Sequence, residues 1–196
     1  MIDRTADGGY NFDNGVVVTI AHGLDDLCRV MAIRAAVFMG EEDCDFDDEF
    51  DGNDLCATHL IAYREGEPVG TFRIRWFSEF ARFERLAIRK RSRSLHLVNA
   101  LVASAMEVSR QKGYRFATGL ARDELVKFWK RHGGYPSGKT IKTSVGDLTP
   151  IILPLLREGQ NEPSLFSLDE AGSEIMEQLL LDREGCWTRE VTDHAA

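Results

Sequence analysis

The chain has 196 residues, of which 43% are hydrophobic, so its length and composition suit one globular domain with a terminal extension. Its formal net charge of −8 argues against general nucleic-acid binding, and its apolar runs are too short for a membrane span, so we expect neither a nucleic-acid nor a membrane partner. The N-terminal sequence MIDRTADGG lacks the pattern of a signal peptide, which favours a cytoplasmic protein.

A β-branched run predicts a short strand at Val16–Ile20, and apolar residues at helical spacing then predict a helix over Leu24–Met39. Residues 41–54 follow, with nine acidic groups and no basic one. We expect this acidic segment to be a loop or short helix. It could steer a cationic acceptor, remain a solvated loop, or serve as an internal partner for the basic turn later in the chain, at residues 82–93.

Two strands, Cys56–Tyr63 and Val69–Phe77, are predicted to form a hairpin through the tight turn at 65–68. A further strand, Arg82–Ile88, alternates so that Glu84, Leu86 and Ile88 should share one face. Apolar periodicity then predicts a helix over Leu95–Gln111, which Lys112 and Gly113 close.

The turn between that last strand and its helix is basic. Residues 82–93 hold six basic groups against Glu84 alone: Arg82, Arg85, Arg89, Lys90, Arg91 and Arg93. The first N–H groups of a helix have no intrahelical acceptor and point outward, so they bind anions readily. The sequence therefore predicts a site for a phosphate-bearing ligand at this turn.

The remaining pattern predicts a strand at Phe116–Leu120, a helix over Glu124–His132, and closing strands at Lys139–Ser144 and Leu148–Leu153. The element order is β-α-β-β-β-α-β-α-β-β. After residue 155 the composition becomes polar, and a capping box at Ser167 predicts a helix to about Leu181. We expect that helix to pack on its own domain, and a homodimer contact is the alternative.

Arg85–Ile88 (RLAI) and the basic turn resemble the acyl-CoA-binding motif of the GNAT superfamily of N-acyltransferases. In that motif a strand reading roughly RLAV leads to an R-x-x-G-x-G turn and a helix that holds the CoA pyrophosphate. Arg93 matches the first arginine, while His96 and Val98 stand at the two glycine positions. Residues 34–42 likewise resemble the R-x-x-V-F helix end that precedes the acceptor-side loop in many members.

The resemblance covers roughly residues 16–154 and implies an α/β (α+β) fold, a mixed, mostly antiparallel central sheet with helices on both faces. Residues 1–154 would form the acyltransferase domain, and residues 155–196 a C-terminal helical extension packed on it. The implied reaction moves an acetyl or acyl group from acetyl-CoA or another acyl-CoA to an amine by direct attack. The acceptor would be a small-molecule amine, or a lysine or N-terminal amine.

The resemblance also implies a donor site formed by the strand end, the turn and the first helical turn: Leu86, Ile88, Arg89, Arg91, Arg93, Ser94, His96 and Val98. The arginines would bind the pyrophosphate or the ribose phosphate. No C-x-x-C pair and no His companions are present, so we predict reduced thiols and no metal.

Glu84 is the candidate base, because several family members carry a catalytic glutamate at or beside this position. The alternative is a salt bridge with Arg73, Arg75 or Arg82. The thiolate is protonated in many members by a tyrosine in an F-Y-x-x-x-G-F helix, where this chain has Trp129. Indole is not a useful acid near neutral pH, so Tyr135, with His132 nearby, is the candidate acid, unless these aromatic residues only pack.

Two other functions are compatible with the same residues. Acyl-homoserine-lactone and N-acyl amino acid synthases resemble this family but take the acyl chain from acyl carrier protein. That donor presents a single phosphate, which relaxes the need for glycine at positions 96 and 98. A catalytically inactive binding module is the third hypothesis, favoured by the missing glycines and by Trp129.

Overall fold

The computed structural model describes residues 3–4, 8–143 and 146–156, so the predicted C-terminal helix lies outside the described residues. The chain divides into two compact units, Met1–Tyr114 and Arg115–Ala196. Within the described residues, none of the helices combines the length and hydrophobicity needed to cross a membrane.

In the described part of the first unit, six strands pair in chain order, each antiparallel to the next. They are β1 (Asp3–Arg4), β2 (Tyr10–Phe12), β3 (Val16–Ile20), β4 (Thr58–Arg64), β5 (Glu67–Trp76) and β6 (Ala81–Ile88). The predicted strands 16–20 and 82–88 are confirmed almost to the residue. The sequence pattern did not predict β1 and β2, because two- and three-residue strands are too short to show a period.

The predicted hairpin is confirmed between β4 and β5. Arg64 pairs with Glu67 across a two-residue turn, and Glu65 and Gly66 have φ of 54° and 81°. Two consecutive positive φ values identify the type I′ turn, whose twist matches that of antiparallel strands. Strand β5 therefore begins two residues before the predicted start at Val69.

Among the residues described in this unit, four α-helices accompany the sheet: α1 (Gly23–Arg34), α2 (Gly40–Glu42), α3 (Phe46–Glu49) and α4 (Leu95–Gln111). The bounds of α4 are those predicted. The predicted single helix over 24–39 is instead α1 followed by a π-helical turn, Ala35–Met39, whose wider winding a period of 3.6 residues does not reveal.

Helices α1 and α4 flank opposite faces of the sheet. A Cβ placed on Gly70 in β5 would lie 3.2 Å from Leu101 Cδ1 in α4. Arg73, three residues further and so on the other face, shares the carboxylate of Asp54 with Arg34 of α1. The predicted arrangement of a sheet with helices on both faces is confirmed.

The described residues of the second unit, which end at residue 156, include β7 (Phe116–Arg122), α5 (Asp123–Arg131), β8 (Tyr135–Pro136), β9 (Ile141–Thr143) and β10 (Gly146–Pro154). Strand β10 is antiparallel to β7, β8 and β9. After α5 the chain turns at Gly134, where a Cβ would come within 3.1 Å of both Ile151 Cγ2 and the Trp129 carbonyl oxygen. Glycine therefore permits the close approach of the helix end to β10.

Candidate active site

Strand β6 carries a β-bulge at its centre. Arg73 pairs with Glu84 and Thr71 pairs with Ala87, so Arg85 and Leu86 together oppose the single residue Phe72. Arg85 has φ of 55°, an uncommon conformation for a residue with a side chain. Such a bulge bends its strand and interrupts the ladder of backbone hydrogen bonds.

The bulge reverses the alternation of side chains along β6. Glu84 lies on the α1 face, because its cross-strand partner is Arg73. Ile88 pairs with Gly70, and its Cγ1 would lie 3.1 Å from a Cβ at Gly70, so it lies on the α4 face. The prediction that Glu84, Leu86 and Ile88 share one face is therefore wrong, since the extra residue shifts the period of two.

Glu84 lies within a group of three arginines, and its side chain is 12% exposed. Its Oε1 is 3.3 Å from Arg73 Nη2 and 3.7 Å from Arg75 Nε, while its Oε2 is 3.3 Å from Arg82 Nε. The structure thus contains each ion pair that the sequence offered as the alternative to catalysis. A base in this position would work in a strongly positive environment.

The basic turn follows β6 directly. The Arg89 N–H donates to the Val69 carbonyl at 2.9 Å, and residues Lys90–Ser92 form a 3₁₀ turn. Arg93 Nε donates to the Ile88 carbonyl at 3.1 Å, and its Nη2 donates to Glu41 Oε2 at 2.6 Å. Arg89 and Arg91 have exposed side chains, and Arg89 Nη1 lies 3.8 Å from a carboxylate oxygen of Glu67.

Ser94 caps the N-terminus of α4. Its Oγ accepts from the Leu97 N–H at 3.3 Å and also from Arg64 Nη2 at 3.2 Å. The first two amides of the helix, those of Leu95 and His96, have no intrahelical acceptor. The sequence did not predict a role for Arg64. It lies at the end of β4, and only the folded sheet brings it beside Ser94, thirty residues later in the chain.

The two side chains at the expected glycine positions are half-buried. His96 Nε2 lies 2.7 Å from the Asp13 carbonyl oxygen, so the ring is directed at the turn between β2 and β3. The Val98 N–H donates to the Ser94 carbonyl at 3.2 Å. Leu86 is half-buried and Ile88 is buried.

Tyr135 lies in the second unit, on β8, where it pairs with Ile152 of β10 and is half-buried. The Trp129 ring packs edge-on against Phe128, with centroids 5.3 Å apart. His132 Nδ1 lies 3.1 Å from the Phe128 carbonyl oxygen at the end of α5. Trp129 and His132 therefore have packing and helix-end contacts of their own.

The acidic segment divides into an exposed part and a buried part. Glu41, Glu42, Asp43, Asp45 and Asp47 are exposed. The side chains of Glu49, Asp51 and Asp54 are at most 8% exposed and pair with buried arginines. The interpretation of the whole segment as a solvated loop is therefore wrong for residues 49–54.

Those buried pairs form one network. Glu49 Oε1 is 2.5 Å from Arg34 Nε and its Oε2 is 3.1 Å from Arg85 Nε. Asp51 contacts Arg73 at 2.5 Å and Arg85 at 3.3 Å. Asp54 contacts both Arg34 and Arg73. The network joins α1, β5 and the β6 bulge through the acidic segment.

Burial and charge act oppositely on the pKa values in this network. Burial alone would raise the pKa of Asp51, but hydrogen bonds and attraction from Arg73 and Arg85 outweigh it and lower that pKa. The pKa of Asp54 is lowered in the same way by Arg34 and Arg73. Burial dominates for Glu49, whose pKa is raised, and for His59, whose pKa is lowered.

Among residues 3–4, 8–143 and 146–156, no group of three or more His, Cys, Asp or Glu side chains is arranged to hold a metal ion. The candidate site consists of a bulged strand, a basic turn and a capped helix, with Glu84 and three arginines beside the bulge.

The model of the acetyltransferase (GNAT) family matches residues 28–134, and the chain belongs to this family of acyltransferases. At the level of individual proteins, it is similar to a "Putative acetyltransferase" of Bacillus subtilis strain 168, with 34% identity over 111 residues. That match covers 55% of this chain and 76% of the relative. The predicted family is confirmed.

Solved structures show the same fold. An acyl-CoA N-acyltransferase from Pseudomonas aeruginosa superposes with a TM-score of 0.65 at 20% identity, over 70% of this chain and 99% of that one. FeeM, an N-acyl amino acid synthase from uncultured soil microbes, superposes with a TM-score of 0.63 at 10% identity, over 71% of this chain and 92% of FeeM. At these identities the likeness concerns the fold alone.

Proposed function

We propose that this acyltransferase moves an acetyl or other acyl group from acyl-CoA to an amine. The observation that carries the proposal is the continuous arrangement of the β6 bulge, the arginine-containing turn and the Ser94-capped start of α4. The bulge frees backbone groups for the thioester arm, and the turn and helix start offer cations and amides to phosphate.

The donor phosphates would contact the amides of Leu95 and His96 and the guanidinium groups of Arg89, Arg91 and Arg93. Arg64 adds a further cation, because it already donates to the capping hydroxyl of Ser94. The Cβ-bearing residues at 96 and 98 keep the phosphate further from the backbone than glycine would. Arginine side chains would therefore supply a larger share of the binding energy.

In the reaction, the amine nitrogen attacks the thioester carbonyl carbon and forms the new C–N bond. The negative charge that develops on oxygen is stabilised by backbone N–H groups at the bulge. The C–S bond then breaks, and the thiolate takes a proton. Alignment of the two reactants supplies much of the rate enhancement.

We propose Glu84 as the base that removes the amine proton and Tyr135 as the acid that protonates the thiolate. Arg73, Arg75 and Arg82 already pair with the carboxylate of Glu84, so a water molecule that relays the proton suits this environment better than direct transfer. The acceptor is a small-molecule amine, or a lysine or N-terminal amine.

Arg93→Ala tests the donor site. We expect acetyl-CoA binding, measured by titration calorimetry, to weaken by about 1–2 kcal/mol, because a charge-assisted hydrogen bond to phosphate is lost. Arg29→Ala is the matched control, since Arg29 is an exposed arginine on α1 that pairs with Asp26. Equal binding by the Arg93 variant and wild type would remove Arg93 from the site, and no binding by wild type would reject the acyl-CoA donor.

A donor presented by acyl carrier protein is the second candidate, favoured by His96 and Val98 at the two glycine positions. One phosphopantetheine phosphate requires less close contact with backbone than a pyrophosphate does. Thiol release from acyl carrier protein, with none from acyl-CoA, would select this candidate. Binding of neither donor would instead favour a catalytically inactive module.

A further inference from the structure

Arg85 holds a backbone conformation that few residues other than glycine adopt. Its φ is 55°, and it sits in the middle of a strand at the bulge. A residue with a side chain in this region raises the energy of the fold, and it persists only where the surroundings hold it in place. The question is which groups hold it.

The acidic segment supplies those groups. Arg85 Nη2 donates to the Asp48 carbonyl at 2.6 Å and lies 3.3 Å from Asp51 Oδ2, while its Nε is 3.1 Å from Glu49 Oε2. Its guanidinium carbon is 6.0 Å from the centroid of the Phe38 ring. Four contacts from residues 38–51 thus converge on a side chain that is only 6% exposed.

These partners are themselves fixed by other elements. Arg34 of α1 donates to both the carboxylate and the backbone carbonyl of Glu49. Arg73 of β5 donates to both oxygens of Asp51. The guanidinium group of Arg85 is therefore held against α1 and β5, and its backbone can move little while these pairs are intact.

We infer that Arg85 is a positioning residue, through which Glu49 and Asp51 of the acidic segment fix the β6 bulge, where we propose that the donor thioester binds. The inference rests on the proposed acyltransferase function for the identity of the donor. The buried part of the acidic segment then has a structural role besides any attraction of a cationic acceptor, because it fixes the backbone of the strand that binds the donor.

Two isosteric substitutions in the same network separate this role from general stability. Glu49→Gln replaces a carboxylate that contacts Arg85 with a neutral amide. Asp54→Asn makes the same replacement at a carboxylate that contacts Arg34 and Arg73. Backbone hydrogen exchange of residues 85–87 is measured in both folded variants, well below their unfolding temperatures. We expect exchange to accelerate about tenfold in Glu49→Gln and to change little in Asp54→Asn.

Steady-state kinetics give the second measurement. We expect Glu49→Gln to raise KM for acetyl-CoA and lower kcat with little effect on the acceptor KM, while Asp54→Asn retains wild-type values of all three. Arg85→Gly, which tolerates the positive φ but lacks the guanidinium group, should behave as Glu49→Gln does.

Unchanged exchange at residues 85–87 in Glu49→Gln, or equal acceleration in Asp54→Asn, would overturn the inference. This result does not depend on turnover. If wild-type protein neither binds nor turns over acetyl-CoA, the proposed donor is rejected, and the exchange data alone decide whether the acidic segment fixes the bulge.

Discussion

At the scale of single residues, the contact between Glu41 and Arg93 links the exposed acidic residues to the basic turn. Glu41 Oε2 lies 2.6 Å from Arg93 Nη2, so this carboxylate pairs with a guanidinium group that we propose as a phosphate ligand. The side chain of Glu41 is 23% exposed and that of Arg93 is 47% exposed. Glu41→Gln should therefore tighten acetyl-CoA binding up to about fivefold, since an exposed pair contributes at most about 1 kcal/mol.

Glu42→Gln is the control for that measurement, because it removes the same charge one residue later. Calorimetric titrations at low and high salt should show the difference between the two variants shrinking as salt increases. Equal gains in both variants would mean that the overall field of the acidic segment acts on the donor, rather than competition for Arg93.

The sequence predicted the composition of the site better than its geometry. The ion pairs of Glu84 with Arg73, Arg75 and Arg82 are those that the sequence offered as the alternative to catalysis. Arg64 and the contact of His96 with Asp13 depend on which distant strand ends meet, and no local pattern carries that information.

At the scale of elements, strong periodicity decided what could be predicted. The seventeen residues of α4 and the β4–β5 hairpin were predicted because their apolar spacing and turn residues agree with the fold. The bulge at Arg85 could not be predicted, because the sequence alternates normally and the left-handed backbone is imposed by the contacts of Glu49 and Asp51. Tertiary contacts override local preference at such positions.

The packing of α4 on β5 and β6 depends on Gly70. A Cβ there would meet Ile88 Cγ1 at 3.1 Å, Leu101 Cδ1 at 3.2 Å and the Ala87 carbonyl oxygen at 3.3 Å. Gly70→Ala should lower the free energy of unfolding by about 1–3 kcal/mol, because these groups must move apart. Urea unfolding measures the change.

Gly40→Ala is the matched control for that substitution. Gly40 has a helical φ of −80°, and a Cβ there would meet only the Ala35 carbonyl oxygen, at an ordinary 3.7 Å. Alanine is the better helix former, so this variant should be as stable as wild type or slightly more stable. A neutral Gly70→Ala would show that α4 can shift without cost.

At the scale of the whole molecule, the buried ionic network makes stability depend on pH. The pKa of His59 is lowered mainly by burial, and its Nε2 lies 3.0 Å from the Asp54 carbonyl oxygen. A group whose pKa is lower in the folded state binds its proton first in the unfolded chain. Stability from His59 is therefore complete above about pH 6.5 and is lost as the pH falls below it.

Asp51 and Asp54 act in the same direction at lower pH. Attraction to the buried arginines lowers both pKa values in spite of burial, so their contribution is complete above about pH 4 and is lost below it. Glu49 acts in the opposite direction, because burial raises its pKa, and its contribution falls as the pH rises through that value.

The free energy of unfolding, measured by urea titration across pH, should therefore decline in two steps on acidification. The first step should begin near pH 6.5 and disappear in His59→Gln, and the second should begin near pH 4 and persist in that variant. Glu49 opposes this decline, because burial raises its pKa. A single step near pH 4 in wild-type protein would mean that His59 titrates alike in the folded and unfolded chain, and that its burial against Asp54 contributes nothing to the acid response.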